Sequence, residues 1–314
     1  MKLNHEQLLK RALRAFGDVT PKEAIAKTRA VIGPEKIPDS EAAAQQAMEK
    51  LLDPRKGEPT TEELMALEFV IRIMRPAPLS RGGLLDPLDM GAGNVHPPAT
   101  VDRWNAFRTA VQPLLGSVGR IDHAHRGHVG TGFLVKPNVL ATNRHVLDQL
   151  SGGAGVLLPG QAHVRFNCEF GANEPPDTRA RLTRVLDVHP TLDIALLEIE
   201  ATDRVTLLLD PASTVEDGHP IVVIGFPAES SGSNPIFADA VFSGKYGVRR
   251  GALGEVMDPA DPVIHHDCTT LGGNSGSPVF SLLSHKVIGI HRSGWFCYRN
   301  EGVMAREIEA ILPP

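Results

Sequence analysis

The residue types best suited to chemistry lie in one heptapeptide, Gly272-Gly273-Asn274-Ser275-Gly276-Ser277-Pro278. A serine between glycines on a tight bend presents its hydroxyl at a surface, and its small neighbours let a substrate backbone approach closely. Such a serine can act as a nucleophile beside a built-in oxyanion site, which indicates acyl transfer. Gly/Ser-rich turns also join strands without doing chemistry, so the prediction depends on partner residues elsewhere in the chain.

A histidine lies where it could act as the base. His145 follows two short apolar runs, residues 132–135 and 139–141, which are joined by a Lys-Pro-Asn turn. Both runs are typical of β-strands, so we expect His145 just past a strand end, where a rigid scaffold can hold it. His189 is a weaker alternative because no strand is predicted directly before it.

A carboxylate that could orient this histidine is Asp193, which lies in the apolar stretch 192–197. Burial of a carboxylate is costly unless it is paired, and an imidazole N–H is a suitable partner. Asp187 is a weaker alternative because it lies outside that stretch. Taken singly, the three residues could be a packed histidine, a turn cap and a turn serine, but their joint occurrence favours a catalytic set.

The order His145, Asp193, Ser275 along the chain is the chymotrypsin order among the three common orders of serine hydrolases. Over residues 116–314 the sequence resembles a chymotrypsin-like serine peptidase. The resemblance implies an all-β double β-barrel in which Ser275 attacks the scissile carbonyl, His145 takes and returns the proton, and Asp193 orients the imidazole. It also implies that the N–H groups of Gly273 and Ser275 form the oxyanion hole.

The sequence around the nucleophile also indicates specificity. A strand predicted at Val287–Ile290 ends in His291, and in this fold such a strand forms one wall of the primary specificity pocket. The pattern Gly-Asn-Ser-Gly-Ser-Pro with Gly-Ile-His resembles the glutamyl endopeptidase branch. That resemblance implies that Thr270 and His291 hold an acidic side chain, with Gly294 in the substrate-binding region. Histidine and threonine suit a carboxylate without burying a permanent cation, so we expect cleavage after Glu, with Asp next.

Three residues near the predicted pocket affect the prediction of specificity and activation. If His291 is only a packed strand residue, the pocket takes small or apolar side chains instead. A bulky Arg292 is unexpected at the pocket edge, where it could bind an acidic group or simply be solvated. Asn274 stands where trypsin-like zymogens carry an aspartate, and its neutral amide cannot pair with a new N-terminal amine. Maturation through that ion pair is therefore not expected.

The composition limits the class of protein. The 314-residue chain is 42% hydrophobic with a net charge of −5 and no Lys/Arg-rich run, so nucleic acid is not an expected partner. It has no apolar span of about 18 residues, and charged residues interrupt the leucines near its start, so we expect neither a membrane protein nor an exported one. Three cysteines are few for an extracellular peptidase of this type, which favours a cytoplasmic location.

No cofactor is expected for this chemistry. His123, His125 and His128 have ligand-like spacing, but no cluster of cysteines or carboxylates nearby completes a zinc site. We therefore expect no metal. Cys268 and Cys297 could pair near the pocket, although free buried thiols are the favoured interpretation.

Helical patterns fill the first quarter of the chain. Apolar residues recur at helical spacing near the start, and further helices are predicted at 21–31, 39–52 and 60–74. We therefore expect three parts: a helical domain at 1–76, a Pro/Gly linker with a short helix at 77–115, and the peptidase domain at 116–314. The short helix spans Val101–Leu115, and the first barrel strand Val118–Ile121.

The domain order and the helix end "LEFVIRIMRP" resemble the adaptor or effector-associated domains on peptidases of bacterial conflict systems. The resemblance implies recruitment of a protein partner and a role in antiviral defence. A pro-segment, an autoinhibitory lid or a stability domain are the alternatives. For the whole chain we expect a serine endopeptidase acting on intracellular protein substrates. The alternatives are a catalytically silent trypsin-like binding module and a peptidase with small or apolar specificity.

Overall fold

The computed structural model describes residues 5–32, 40–88, 95–172, 179–229, 235–295 and 298–313. Cys297 lies outside these residues, so the structure does not test whether it pairs with Cys268 or is a free thiol. Cys168 and Cys268 are both buried, and among the described residues Cys268 is a free thiol. No helix in the described part of the chain is both long and apolar enough to cross a membrane.

Four helices form a unit with its own apolar core. They are α1 (His5–Phe16), α2 (Pro21–Ile32), α3 (Ser40–Leu52) and α4 (Thr61–Ile73). The helix α4 begins at a capping box, in which the Thr60 hydroxyl accepts from the Glu63 N–H and the Glu63 carboxylate accepts from the Thr60 N–H. The side chains of Leu8, Phe16, Met48 and Leu67 are fully buried in this core. The N-terminal helices predicted from the sequence are confirmed.

The segment after α4 lies against a strand of the second barrel. It contains the short strands β1 (Ser80–Arg81) and β2 (Leu84–Leu85), followed by α5 (Pro98–Val111). The carbonyl oxygens of Pro76 and Pro78 accept from the N–H groups of Leu253 and Gly251, both at 3.0 Å. Composition predicted a linker here. Proline lacks an N–H, but its carbonyl can still accept from a strand edge, so a Pro-rich segment can dock in this way.

The first barrel is closed and carries the predicted base and carboxylate. Its strands are β3 (Val118–His123), β4 (Gly127–Lys136), β5 (Val139–Thr142), β6 (Ala162–Arg165), β7 (Arg179–Val188) and β8 (Ala195–Ile199). They lie in the order β3-β4-β5-β8-β7-β6. Leu134 pairs with Leu140 across the predicted β4–β5 hairpin, whose turn residue Asn138 has a φ of +63°. The helix α6 (Arg144–Ser151) follows β5 directly.

The second barrel is also closed and carries the serine turn. Its strands are β9 (Pro220–Gly225), β10 (Arg250–Ala260), β11 (Val263–His266), β12 (Pro278–Ser281), β13 (Val287–Trp295) and β14 (Arg299–Met304). They lie in the order β10-β11-β14-β13-β12-β9, with α7 (Pro235–Phe242) between β9 and β10 and α8 (Ala305–Glu309) after β14. Within the described residues, the chain therefore has N-terminal helices followed by two six-stranded barrels. The predicted double-barrel fold is confirmed.

The helical unit packs on the second barrel. Phe69 and Ile73 on α4 share an apolar cluster with residues of β9 and α7. The rings of Phe69 and Phe237 lie 6.0 Å apart between centroids. Because α4 is buried on nearly all sides, it serves both the core of the helical unit and the contact with the barrel.

Candidate active site

The predicted base and carboxylate are in direct contact. His145 is the second residue of α6, and its Nδ1 lies 2.7 Å from Oδ2 of Asp193. The backbone N–H of His145 donates to Oδ1 of the same carboxylate at 3.0 Å. Because a carboxylate only accepts, the proton of a neutral imidazole lies on Nδ1, and Nε2 is left as the acceptor.

Asp193 is held in the turn before β8. Asn143, just before α6, donates from its side-chain Nδ2 to the Asp193 carbonyl oxygen at 2.8 Å. Burial tends to raise the pKa of Asp193, but the hydrogen bonds and charge of His145, with a smaller effect of Arg292, hold it below its ordinary value near 3.8. The carboxylate is therefore ionised at neutral pH.

The serine turn of the second barrel is docked on β4 of the first. The N–H of Thr131 donates to the Ser275 carbonyl oxygen at 2.8 Å, and the Thr131 hydroxyl donates to the Gly273 carbonyl oxygen at 2.7 Å. Gly276 has a φ of +87°, and a Cβ atom there would collide with the Thr131 carbonyl oxygen. Only glycine fits this close approach between the barrels.

The serine turn and the start of α6 meet around Gly130 on β4. A Cβ atom at Gly130 would lie 2.8 Å from Cγ2 of Val146 and 3.1 Å from the Ser275 carbonyl oxygen. The residue after His145 and the backbone of Ser275 therefore flank the same glycine. The Ser275 hydroxyl itself donates to the carbonyl oxygen of Arg292 at 3.3 Å.

Two backbone N–H groups of the turn are available to a ligand. The N–H groups of Asn274 and Gly276 donate to the carbonyl oxygens of Leu271 (3.2 Å) and His291 (2.9 Å). Among the described residues, the N–H groups of Gly273 and Ser275 have no acceptor. These are the two groups for which the sequence predicts an oxyanion hole.

A pair of buried histidines lies next to the serine turn. His291 on β13 is buried, and its Nδ1 lies 3.1 Å from Nε2 of His266 on β11. The Cys268 N–H lies 3.3 Å from Nδ1 of His266. Burial, with a smaller effect of the His145 charge, lowers the pKa of His291 to about 3, and burial lowers that of His266 as well. Both imidazoles are therefore neutral at pH 7.

The other two predicted pocket residues are Thr270 and Gly294. Thr270 follows β11, which carries His266, and Gly294 lies on β13, which carries His291. Thr270 is partly buried between His266 and the serine turn. Gly294 on β13 pairs with Asn300 on β14, and a side chain at Gly294 would collide with the Asn300 amide oxygen. The glycine thus keeps the two strands close.

Arg292 is paired rather than merely solvated. Its Nε lies 3.1 Å from the Glu301 carboxylate, which also lies 3.2 Å from Arg299. The interpretation of Arg292 as a solvated side chain is therefore wrong. Sequence patterns did not reveal Thr131 or His266, because their partners Gly273 and His291 lie 142 and 25 positions away in the chain.

The histidines of the β3–β4 hairpin have local structural contacts. Nδ1 of His123 accepts from the backbone N–H groups of His125 (3.0 Å) and Arg126 (3.3 Å), so His123 caps the turn. Nε2 of His128 lies 3.1 Å from the Gly130 carbonyl oxygen. Within the described ranges, no group of three His, Cys, Asp or Glu side chains is arranged to hold a metal ion.

Two closed barrels with a glycine-rich serine turn docked between them define a chymotrypsin-like fold. Residues 130–290, about half of the sequence, match the trypsin-like peptidase domain, and the chain belongs to this family.

Individual relatives share between a fifth and a third of their aligned residues with this chain. A probable periplasmic serine endoprotease, DegP-like, of Marinomonas is 31% identical over 197 residues, covering 59% of this chain and 35% of that protein. A glutamyl endopeptidase of Staphylococcus epidermidis is 26% identical over 179 residues, covering 54% of this chain and 56% of that protein. The chain thus spans about a third and about half of these relatives. A solved Mycobacterium tuberculosis protease in its active form is 20% identical, with a TM-score of 0.46 over 69% of this chain and 86% of that one.

Proposed function

We propose that the protein is a serine endopeptidase with Ser275 as nucleophile, His145 as general base and Asp193 as the carboxylate that orients the imidazole. The observation that carries the proposal is the 2.7 Å contact between His145 Nδ1 and Asp193 Oδ2, beside the serine turn. This contact leaves Nε2 free to accept a proton next to a charged carboxylate. A general base in acyl transfer requires such an unprotonated imidazole nitrogen and an ionised carboxylate beside the ring.

In this mechanism the Ser275 hydroxyl leaves the Arg292 carbonyl oxygen and turns towards Nε2 of His145. As Oγ bonds to the scissile carbonyl carbon, its proton passes to Nε2, and the N–H groups of Gly273 and Ser275 bind the oxyanion. The imidazolium then protonates the leaving nitrogen and the C–N bond breaks, leaving an acyl-enzyme. Water attacks the ester with His145 again as base, which releases the acid product and restores the Ser275 hydroxyl.

The proposed preference is for Glu, with Asp next, before the cut. The Cys268 N–H occupies Nδ1 of His266, so the proton of neutral His266 lies on Nε2 and points to Nδ1 of His291. The proton of His291 is then on Nε2, the nitrogen left for a ligand. An imidazole N–H together with the Thr270 hydroxyl can hold a carboxylate without a permanent buried cation.

The charges near β13 and β14 also favour an acidic substrate. Arg292 and Arg299 share the single carboxylate of Glu301, which leaves this edge with a net positive charge. The similarity to a glutamyl endopeptidase supports the same preference. The alternative, a pocket for small or apolar side chains, is an outcome of the test below.

The test combines a covalent probe with a set of peptides. A fluorophosphonate should label the wild-type protein and fail to label Ser275→Ala, because the probe requires an activated serine hydroxyl. Among matched peptides with Glu, Gln, Lys or Phe before the cut, the Glu peptide should have the highest kcat/KM. A preference for Lys or Phe would contradict the acidic pocket, and absence of labelling would favour a catalytically silent binding module.

The setting of the enzyme is part of the proposal. We infer intracellular protein substrates and a cytoplasmic location, supported by the buried free thiol of Cys268. The DegP-like relative is described as periplasmic, so fractionation of cells with an antibody to the chain is the measurement that decides. Extensive packing of the helical unit on the second barrel supports a regulatory role more directly than recruitment of a partner through an adaptor.

A further inference from the structure

A buried set of charged residues, here called the junction cluster, joins the helical unit to the second barrel. Its members are Arg11 on α1, Glu68 and Arg72 on α4, Arg75 just after α4, Glu255 on β10 and Asp267 just after β11. The side chains of Arg11, Glu68 and Asp267 are 2%, 0% and 0% exposed. Charges at this depth are costly unless each one is paired.

Asp267 is the barrel residue that the helical unit holds most directly. Its Oδ2 accepts from Arg11 Nε at 3.1 Å and from Arg75 Nε at 3.1 Å, while its Oδ1 accepts from the Glu255 backbone N–H at 2.7 Å. Burial tends to raise the pKa of Asp267, but Arg75, Arg11 and Arg72 hold it well below its ordinary value. The carboxylate is therefore ionised, and its charge is balanced by guanidinium groups from the helical unit.

The helical unit holds a second residue two positions further along. The Thr269 hydroxyl donates to the Arg75 carbonyl oxygen at 2.7 Å, beyond the end of α4, and also lies 3.3 Å from the Arg72 carbonyl oxygen. Asp267 and Thr269 thus attach the 266–270 segment to the helical unit.

The same segment also carries residues of the candidate pocket. His266 contacts His291, the Cys268 N–H donates to His266, and Thr270 lies just before the serine turn. One short segment is therefore held by residues of α1 and by those at the end of α4, and it also carries His266 and Thr270 of the candidate pocket. An unpaired charge at this depth would be costly, so the ion pairs of the junction cluster are kept. The position of the 266–270 segment therefore depends on the positions of α1 and α4.

We propose that Arg11 and Arg75 are positioning residues of the specificity pocket: through Asp267 they hold the 266–270 segment, and with it the His266–His291 pair, in the place where a substrate side chain binds. The inference rests on the proposed function of that pocket. His145 and Asp193 lie in the other barrel, and among the described residues they have no hydrogen bond or ion pair with the junction cluster. Loosening the junction should therefore raise KM more than it lowers kcat.

The test uses the full chain with two junction variants and a matched control. Arg75→Gln removes a guanidinium that is 11% exposed while Arg11 stays in place, and Thr269→Val removes one hydroxyl with little change in volume. Thr28→Val is the control. Thr28 is also buried, and its hydroxyl donates to the Ala24 carbonyl oxygen at 3.0 Å within α2, so it is not a member of the junction cluster.

In Arg75→Gln and Thr269→Val, KM for a Glu peptide should rise about tenfold while kcat stays within about threefold. The rate of fluorophosphonate labelling of Ser275 should stay within about twofold, because the probe does not need the pocket. Thr28→Val should leave KM unchanged. If the junction variants lose thermal stability while KM stays at the wild-type value, the junction is purely structural and the proposal is overturned.

A second measurement tests the positioning role of Arg11 and Arg75 and does not require peptidase activity. The imidazole nitrogen resonances of His266 and His291, read by NMR, should shift in Arg75→Gln and Thr269→Val but not in Thr28→Val. Failure of the probe to label the wild type would reject the proposed peptidase, and the resonances would still test the junction. Resonances that stay at their wild-type positions in both junction variants would overturn the positioning role.

Discussion

At the scale of single residues, Asp193 does more than accept one hydrogen bond. Its two carboxylate oxygens accept separately from the side chain and the backbone of His145. The backbone bond fixes the start of α6, and the side-chain bond fixes the ring and its tautomer. The same carboxylate therefore sets both the position and the protonation of the proposed base.

This double contact predicts a large effect for a small change. Asp193→Asn keeps the shape, but the amide can accept at only one of its two positions, so either the ring or the start of α6 loses its partner. We expect kcat to fall by about 10³- to 10⁴-fold with KM changed by less than about threefold. Steady-state kinetics on a Glu peptide measures both values.

The matched control is Asp187→Asn. Asp187 is an exposed residue of the same barrel whose carboxylate accepts from the Val188 N–H at 2.7 Å. Its activity should stay close to wild type. Equal losses in the two variants would contradict the assignment of Asp193 as the orienting carboxylate.

At the scale of elements, the strand β4 connects the two barrels at the candidate active site. Its residue Thr131 touches the serine turn twice and also lies 3.4 Å from the Phe226 N–H, just after β9. The hydroxyl bond to the Gly273 carbonyl oxygen fixes the orientation of a peptide next to the proposed oxyanion hole. Gly273 has a φ of +86°, a conformation that few other residues adopt.

Thr131→Val should therefore reduce turnover. The change keeps the volume and the backbone N–H bond but removes the hydroxyl, so the peptide before the nucleophile is less well oriented. We expect kcat to fall about ten- to hundredfold with little change in KM. Thr183→Val on β7, which removes an exposed hydroxyl 2.9 Å from Glu198, should be neutral in the same assay. A wild-type kcat in Thr131→Val would show that Gly273 is oriented without this bond.

Elements whose determinants are local could be predicted from the sequence. The capping box of Thr60 and Glu63 and the β4–β5 hairpin each depend on residues within a few positions. The bond from Thr131 to Gly273 spans 142 positions, and the bond from Arg11 to Asp267 spans 256. No local pattern encodes such a contact, so an arginine on a predicted amphipathic helix is indistinguishable from a solvated one.

At the scale of the whole molecule, burial lowers the pKa of several histidines, and three of them lie around the serine turn. His266 and His291 form a pair next to the serine turn, and His128 also lies beside that turn. Burial lowers the pKa of His128 to about 4 and that of His291 to about 3, and it also lowers the pKa of His266. In the unfolded chain each of these imidazoles takes up a proton near pH 6.5.

Folding stability should therefore fall on mild acidification. Between about pH 6.5 and pH 3 the unfolded state binds more protons than the folded state, so the free energy of unfolding rises with pH over that range and levels off above it. His291 alone should contribute a loss of roughly 2 kcal/mol between pH 8 and pH 5. Urea unfolding at a series of pH values measures the slope.

The variant His291→Gln isolates this contribution, because glutamine does not titrate. Its stability at pH 8 falls through the lost contact with His266, but its decline between pH 8 and pH 5 should be smaller than that of the wild type. His125→Gln, at an exposed position of the β3–β4 hairpin, should keep the wild-type slope. Equal slopes in wild type and His291→Gln would mean that His291 is protonated in the folded state at pH 5. The pocket would then present a cation to an acidic side chain in place of the neutral N–H donor.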